Sequence, residues 1–232
     1  MKCGGVIQIL RDNIHFYGAG VGVLAAAALA IQSHFGPRPT LALAGAVTAF
    51  WMVSSLSVSW YVYDCARVTA WQWLRDRLRS APPRWLNIHA GLDESTETLA
   101  PMYPRSAQAV LDIYNGREMT AASIARARRI HSDRRPALPA GLDTLPFPEA
   151  TQDAVFLLFA APELRRHERR VTLLREAGRV LAMDGRIVLV EHLRDWKNFV
   201  AFGPGFLHFY SRREWLRAAA EAKLAVESGN PP

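Results

Sequence analysis

Between Asp12 and Asp64 the chain carries one formal charge, Arg38. Residues 13–37 and 39–63 contain no Asp, Glu, Lys or Arg. The hydrocarbon core of a bilayer takes about 20 consecutive apolar residues as a helix, and each stretch is long enough. The first, centred on "YGAGVGVLAAAALAI", is built of small residues. The second, "LALAGAVTAFWMVSSLSVSWYVY", is bulkier and ends in Trp60, Tyr61 and Tyr63. The linking "SHFGPRP" is a short turn. Two such stretches in succession predict a membrane hairpin with spans at about 14–35 and 40–63. A cleaved signal peptide explains only the first stretch, and two soluble helices apolar on every side are rare in a domain of this size. Gly18, Gly20, Gly22 and the alanines suit close packing of one span on the other.

The flanking charges set an orientation. Lys2 and Arg11 precede the first span; Arg67, Arg75, Arg77 and Arg79 follow the second; the turn holds only Arg38. The positive-inside rule places both termini in the cytoplasm, with the hairpin integral to the cytoplasmic (inner) membrane. Cys3 and Cys65 then face reducing surroundings as free thiols. The net charge of +7 is explained by arginines beside an anionic membrane surface. No nucleic-acid-binding motif or interleaved basic-aromatic array is present, so nucleic acid is not an expected partner; a binder of that kind would show steep salt dependence. "ARVTAWQWLRDRLRS" (66–80) reads as an interfacial amphipathic helix, and Ala81-Pro82-Pro83 as a boundary. The expected organisation is a hairpin over 1–65, a helix and linker over 66–83, and a separate domain over 84–232.

From residue 84 the pattern alternates. "RWLNIHA", "AQAVLDIY" (107–114), "ATQDAVFLLFA" (150–160) and "RIVLVEH" (186–192) are continuous apolar runs of strand length. Between and after them lie helical patterns: "DESTETLAPMYP", "TAASIARARRIHS" (120–132), "PELRRHERRVTLLREAGRVL" (162–181) and "SRREWLRAAAEAKL" (211–224). "MDG" reads as a turn. Alternating strands and helices predict an α/β fold with a Rossmann-like, doubly wound, mainly parallel sheet. The strands lack polar alternation because both faces of such a sheet are covered.

Leu145-Pro146-Phe147-Pro148 precede Asp153-Ala154-Val155 at a strand start, with Glu163 after that strand. Leu174-Arg175-Glu176, Arg179-Val180-Leu181, Gly185 and Ile187-Val188-Leu189-Val190-Glu191 follow in order. This ordered set across 143–192 resembles the second half of class I S-adenosylmethionine-dependent methyltransferases, in particular the quinone, sterol and related small-molecule enzymes. With the first half the resemblance covers about 84–224. It implies S-adenosyl-L-methionine as cofactor and no metal. It places "WLNIHAGLDES" on the first strand and the cofactor loop, where the family has an acid followed by three spaced glycines. Asn87 stands at the acid, and His89, Gly91 and Asp93 stand at the glycines. Three readings stay open for this loop: the same cofactor bound by a divergent loop, a domain that has lost the cofactor, or a different ligand.

The resemblance further implies that Asp112, with Ile113 beside it, takes the two ribose hydroxyls. Two carboxylate oxygens suit two vicinal donors, although Asp112 also fits a solvent-facing strand end. Asp143 falls where the family has an acid for the adenine amino group, and Phe159 where a strand end faces the cofactor; a core aromatic is the other reading of Phe159. Methyl transfer from a sulfonium needs alignment and exclusion of water, and a carbon or phenol acceptor also needs a base. Glu191, His208 and Tyr210 are the candidates, with His192 beside them; a partly buried structural histidine is the other reading of both histidines. The aromatic stretch 191–215 suits a lipophilic acceptor such as a quinone precursor, an isoprenoid or a lipid. The competing reading is a non-catalytic, membrane-anchored scaffold. The family's final pair of strands has no counterpart in "KLAVESGNPP", although Ala225-Val226-Glu227 could start one strand. An uncovered sheet edge is thus expected, and with it a route to oligomers.

Overall fold

The computed structural model describes residues 6–7, 10–11, 14–65, 71–78, 80–93, 95–120, 124–125, 128–129, 137–161 and 164–227. In chain order the elements are α1 (Ile14–Gln32), α2 (Arg38–Ser59), α3 (Leu74–Arg77), β1 (Arg84–His89), α4 (Thr96–Met102), β2 (Ala107–Asp112), β3 (Leu138–Pro139), β4 (Gln152–Leu158), α5 (His167–Val180), β5 (Leu181–Val190), α6 (Trp196–Phe202) and α7 (Arg212–Glu221). They form two compact units: Met1–Thr69 with Arg194–Leu207, and Ala70–Leu193 with His208–Pro232.

In the first unit α1 and α2 pack side by side. Both are long and apolar enough to cross a membrane, with mean hydropathy 1.8, and their side chains are almost wholly unburied. Met52 lies over Gly20, and the Tyr17 hydroxyl and Ser55 Oγ are 3.1 Å apart. Pro37 and Pro39 start α2, where a missing N–H costs nothing. The helices end sooner than the expected spans, at Gln32 and Ser59. A π-helical turn, Trp60–Cys65, follows α2, and its Asp64 accepts a hydrogen bond from the Val6 N–H at 3.0 Å. Residues 194–207, read from the sequence as part of the domain after residue 84, belong to this first unit.

The second unit holds a five-stranded sheet in the order β3-β2-β1-β4-β5, every pair parallel. That is a doubly wound order, with its switch point between β1 and β4. The central strands are buried on both faces, as their unbroken apolar runs require. Leu86, Ile88, Val155 and Leu157 share a core with Leu173, Leu174 and Ala177 of α5 and Ala218 of α7. Trp85, Ala154, Phe156 and Leu158 share the other with Trp71, Leu74, Leu99 and Tyr103.

Several boundaries differ from the expectations. β5 starts at Leu181, and its pairing with β4 jumps from Gln152↔Leu181 to Ala154↔Arg186. Residues 182–185 loop out at that jump, where the sequence reads a turn. α5 starts at His167 instead of residue 162. Within 66–80 only Leu74–Arg77 is helical among the described residues, while residues 66–70, most of the expected helix at 120–132, and Glu163 lie outside them. Residues 225–227 join no strand; Glu227 instead pairs with Arg186 of β5. Among the described residues no sixth strand covers β5.

Candidate cofactor site

The parallel strands bring their carboxyl ends to one edge of the sheet, and β1, β2 and β5 deliver polar side chains there. His89 at the end of β1 lies opposite Asp112 at the end of β2. Asn87, one step back on β1, is almost fully buried. Its Nδ2 group lies 2.9 Å from Ser95 Oγ, 2.8 Å from Thr96 Oγ1 and 3.2 Å from Asp93 Oδ1. Asp93 Oδ1 also accepts from the Ser95 and Thr96 N–H groups at 3.1 and 2.9 Å, which satisfies donors that the first turn of α4 leaves open. Asn87 therefore ties the strand end to the helix start, and Asp93 caps that start. Among the described residues the buried Asn87 Oδ1 has no hydrogen-bond partner.

Gly91 turns the loop at φ +91°, a conformation that side chains resist and glycine adopts freely. Its N–H donates to Asp112 Oδ1 at 2.8 Å, and the Tyr114 N–H donates to the same oxygen at 3.0 Å. The other oxygen of Asp112 is held by Arg128 Nη1 at 2.5 Å, and the Arg128 guanidinium lies 4.3 Å above the Tyr114 ring. His89 Nδ1 is 3.7 Å from Asp112 Oδ1. Burial pushes the His89 pKa down despite the pull of Asp112 and Asp93, with Arg128 acting in the same direction as burial, so the ring is neutral at pH 7.

Further along the same edge, Phe159 follows β4 at φ +56°, and its N–H donates to the Val190 carbonyl at 2.8 Å. Its ring stacks on His192 at 4.7 Å, and Phe209 lies 5.0 Å from the same His192 ring. Burial pushes the His192 pKa down to about 4. Glu191 Oε1 accepts from the Ala161 N–H at 2.8 Å.

Of the residues singled out from the sequence, Asn87, His89, Gly91, Asp112 and Ile113 come together at the ends of β1 and β2. Ile113 is buried and donates its N–H to the His89 carbonyl at 2.9 Å. Phe159 and Glu191 lie at the ends of β4 and β5. Asp143 has a different partner: its exposed carboxylate pairs with Arg169 of α5 at 2.7 Å. The Leu145–Pro148 motif is clamped by α5, with Glu176 accepting from the Leu145 N–H and Arg179 donating to the Leu145 and Phe147 carbonyls. His208 is exposed, and its carbonyl accepts from Arg165. The Tyr210 hydroxyl donates to the Arg165 carbonyl at 3.1 Å, while its ring carries the Arg170 guanidinium at 3.7 Å. The sequence reading missed Arg128, Ser95 and Thr96 as members of the cluster. A Ser-Thr pair before an acidic residue is a visible helix-start signal, but Arg128 is one of several arginines in its stretch.

No family model matches the chain, and no curated protein does. Solved structures with a similar course include a SAM-dependent methyltransferase from Aquifex aeolicus: 16% identity, 71% of this chain and 86% of that chain covered, TM-score 0.49. Another is geranyl diphosphate C-methyltransferase from Streptomyces coelicolor A3(2), in complex with Mg2+, geranyl diphosphate and S-adenosyl-L-homocysteine. It shows 20% identity, covers 69% of this chain and 61% of that one, and has a TM-score of 0.47. A likeness this loose carries no argument about chemistry, which has to come from the side chains.

Proposed function

We propose that the chain is a membrane-anchored S-adenosyl-L-methionine-dependent methyltransferase acting on a lipophilic acceptor. The observation that carries this reading is the pair formed by Gly91 and Asp112: a left-handed glycine after β1, donating its N–H to the acid that ends β2, beside the switch point of a doubly wound sheet. Ligands of such sheets bind outside the carboxyl ends of the strands at that point. The donor set fits the cofactor. Asp112 offers carboxylate oxygens for vicinal hydroxyls, and Asn87 Oδ1, unpartnered among the described residues, is a buried acceptor suited to an ammonium. When bound, the cofactor supplies a methyl group on a positively charged sulfur.

The residues of the chain then have three tasks. Asn87 and Asp93 hold the loop against α4, so that the loop backbone is fixed before any ligand arrives. Phe159, His192 and Phe209 keep water from the ends of β4 and β5. Proton removal from an acceptor falls to Glu191, whose carboxylate lies at the end of β5, or to His208 or Tyr210 further on. Two apolar helices at one end of the chain anchor it in the inner membrane, with the sheet domain cytoplasmic. Lipids and quinones then reach it at a raised effective concentration.

The test is calorimetry with S-adenosylmethionine on the detergent-solubilised full chain and on Asp112→Ala. Micromolar binding that Asp112→Ala weakens at least tenfold supports the enzyme. Absence of binding by folded protein overturns it in favour of a non-catalytic membrane scaffold. One observation favours that second reading: Arg128 already holds the Asp112 oxygen that a ribose would need.

A further inference from the structure

After β5 the chain leaves the sheet unit. Residues 194–207 pack with α1 and α2, and the chain rejoins the sheet unit at His208. Within "WKNFVAFGPGFL" (196–207) Lys197 is the only formal charge. α6 is capped by Asp195, which accepts from the Asn198 N–H at 2.9 Å. Its other end lies on α2: the Trp51 ring meets Phe199 edge-on at 5.5 Å, and Phe199 meets Phe206 at 5.1 Å. Gly203 turns the chain at φ +53°, where an added Cβ would stand 3.1 Å from Trp51 Nε1.

The last carbonyls of a helix have no partner within it. In water that costs little, whereas in hydrocarbon each must find a protein donor. α2 provides one for Val200, whose carbonyl accepts from Ser54 Oγ at 2.7 Å, and adds Trp51 Nε1 at 3.4 Å to the Phe199 carbonyl, which also accepts from the Gly203 N–H. At 1.5 Å per residue, Ser54 and Trp51 lie about 8 and 12 Å from the Ser59 end of α2. That is close to the depth at which interfacial helices bury their apolar face, about 5–10 Å. Trp196, Phe199 and Leu207 are exposed at 71%, 38% and 62%, which places large apolar side chains on the outside of this excursion.

We propose that residues 194–207 form a third membrane-embedded element, lying in the cytoplasmic leaflet against α2 with Trp196, Phe199 and Leu207 in lipid. This rests on the reading of α1 and α2 as membrane spans. Its chemical partner is the acyl-chain boundary of a phospholipid bilayer. Lys197 and Arg194 lie at the headgroup level, as amphipathic side chains do at such depths.

The test uses the full chain in phospholipid nanodiscs, with Cys3→Ser and Cys65→Ser, and one nitroxide at a time on Trp196→Cys, Leu207→Cys, Leu43→Cys on α2 and Arg212→Cys on α7. Collision with oxygen, which favours lipid, is compared with collision with a nickel chelate, which stays in water. The expected result is an oxygen preference at 196 and 207 several-fold above that at 212 and near that at 43. Values at 196 and 207 equal to that at 212, with 43 in lipid, overturn the third element alone. A water-exposed probe at 43 overturns the hairpin, and the proposal with it. Adding Trp51→Phe and Ser54→Ala is expected to lower the oxygen preference at 207 while leaving 43 unchanged. An unchanged value at 207 overturns the role given to those two donors.

Discussion

Asp112 is a carboxylate with prior commitments. Two backbone N–H groups share one oxygen, and Arg128 holds the other. A ribose and Arg128 compete for that second oxygen, so Arg128→Ala is expected to tighten S-adenosylmethionine binding about tenfold, or about 1.4 kcal/mol, by calorimetry. Weaker binding in the variant would make Arg128 a ligand-holding group instead of a competitor. His192 gives a second prediction. Its pKa falls from 6.5 in the unfolded chain to about 4 in the fold, so below pH 6.5 the unfolded chain binds more protons. Stability is full above the unfolded value and is lost as pH falls towards about 4. Between pH 7 and pH 5 this group is expected to remove about 1–2 kcal/mol, and His192→Asn should flatten that part of the melting-temperature profile. At this scale Asp112 was legible as a strand-end acid. Its occupancy was not, because nothing in "ARARRI" distinguishes Arg128 from Arg126 or Arg129.

At the scale of elements, α5 and α7 are joined through one buried cation. Arg170 is 2% exposed. It donates to the Leu164 and Arg165 carbonyls and to Glu214 of α7, and lies over Tyr210 and Trp215. Arg170→Leu keeps the volume but leaves the Glu214 carboxylate and the Leu164 carbonyl without this donor, the Arg165 carbonyl keeping the Tyr210 hydroxyl, which is expected to cost about 3 kcal/mol in urea unfolding. Glu214→Gln should cost under about 1 kcal/mol, since Arg170 keeps its carbonyl partners. β1 and β4 were legible because a strand buried on both faces must be apolar throughout; β2 and β5 were read from apolar runs and are only partly buried. β3 was not legible, being two residues held by Leu111↔Leu138 and Asp112↔Pro139. α6 was not, because an apolar aromatic run reads equally well as the cover of a pocket and as a helix on a membrane span. The Asn87 network explains why a glycine-poor loop is stable here: side chains from β1 and α4 hold it, where glycines elsewhere leave the holding to backbone.

At the scale of the whole molecule, the charge pattern makes a topological prediction. In the cysteine-free background, Phe35→Cys in the α1–α2 turn is expected to react with a membrane-impermeant maleimide in intact cells, and Arg212→Cys only after lysis. Reaction at 212 in intact cells would reverse the orientation. The two long apolar helices were legible from the lack of charge alone, whereas the return of 194–207 to them depends on pairings 146 and 148 residues apart.

That distance also has a meaning in time. A ribosome adds about 5–20 residues per second, so α6 is made roughly 7–30 s after Ser54 and Trp51. During that interval the two donors stand in the nascent hairpin without their partners. A serine in a helix can turn its hydroxyl back to the carbonyl four residues earlier, as Thr48 does with Ala44 at 2.8 Å. Ser54 thus has a temporary acceptor within its own helix, and the arrival of α6 is an exchange of one hydrogen bond for another. Assembly of this unit is therefore expected in two stages, with a helix pair that waits and a late segment that completes it.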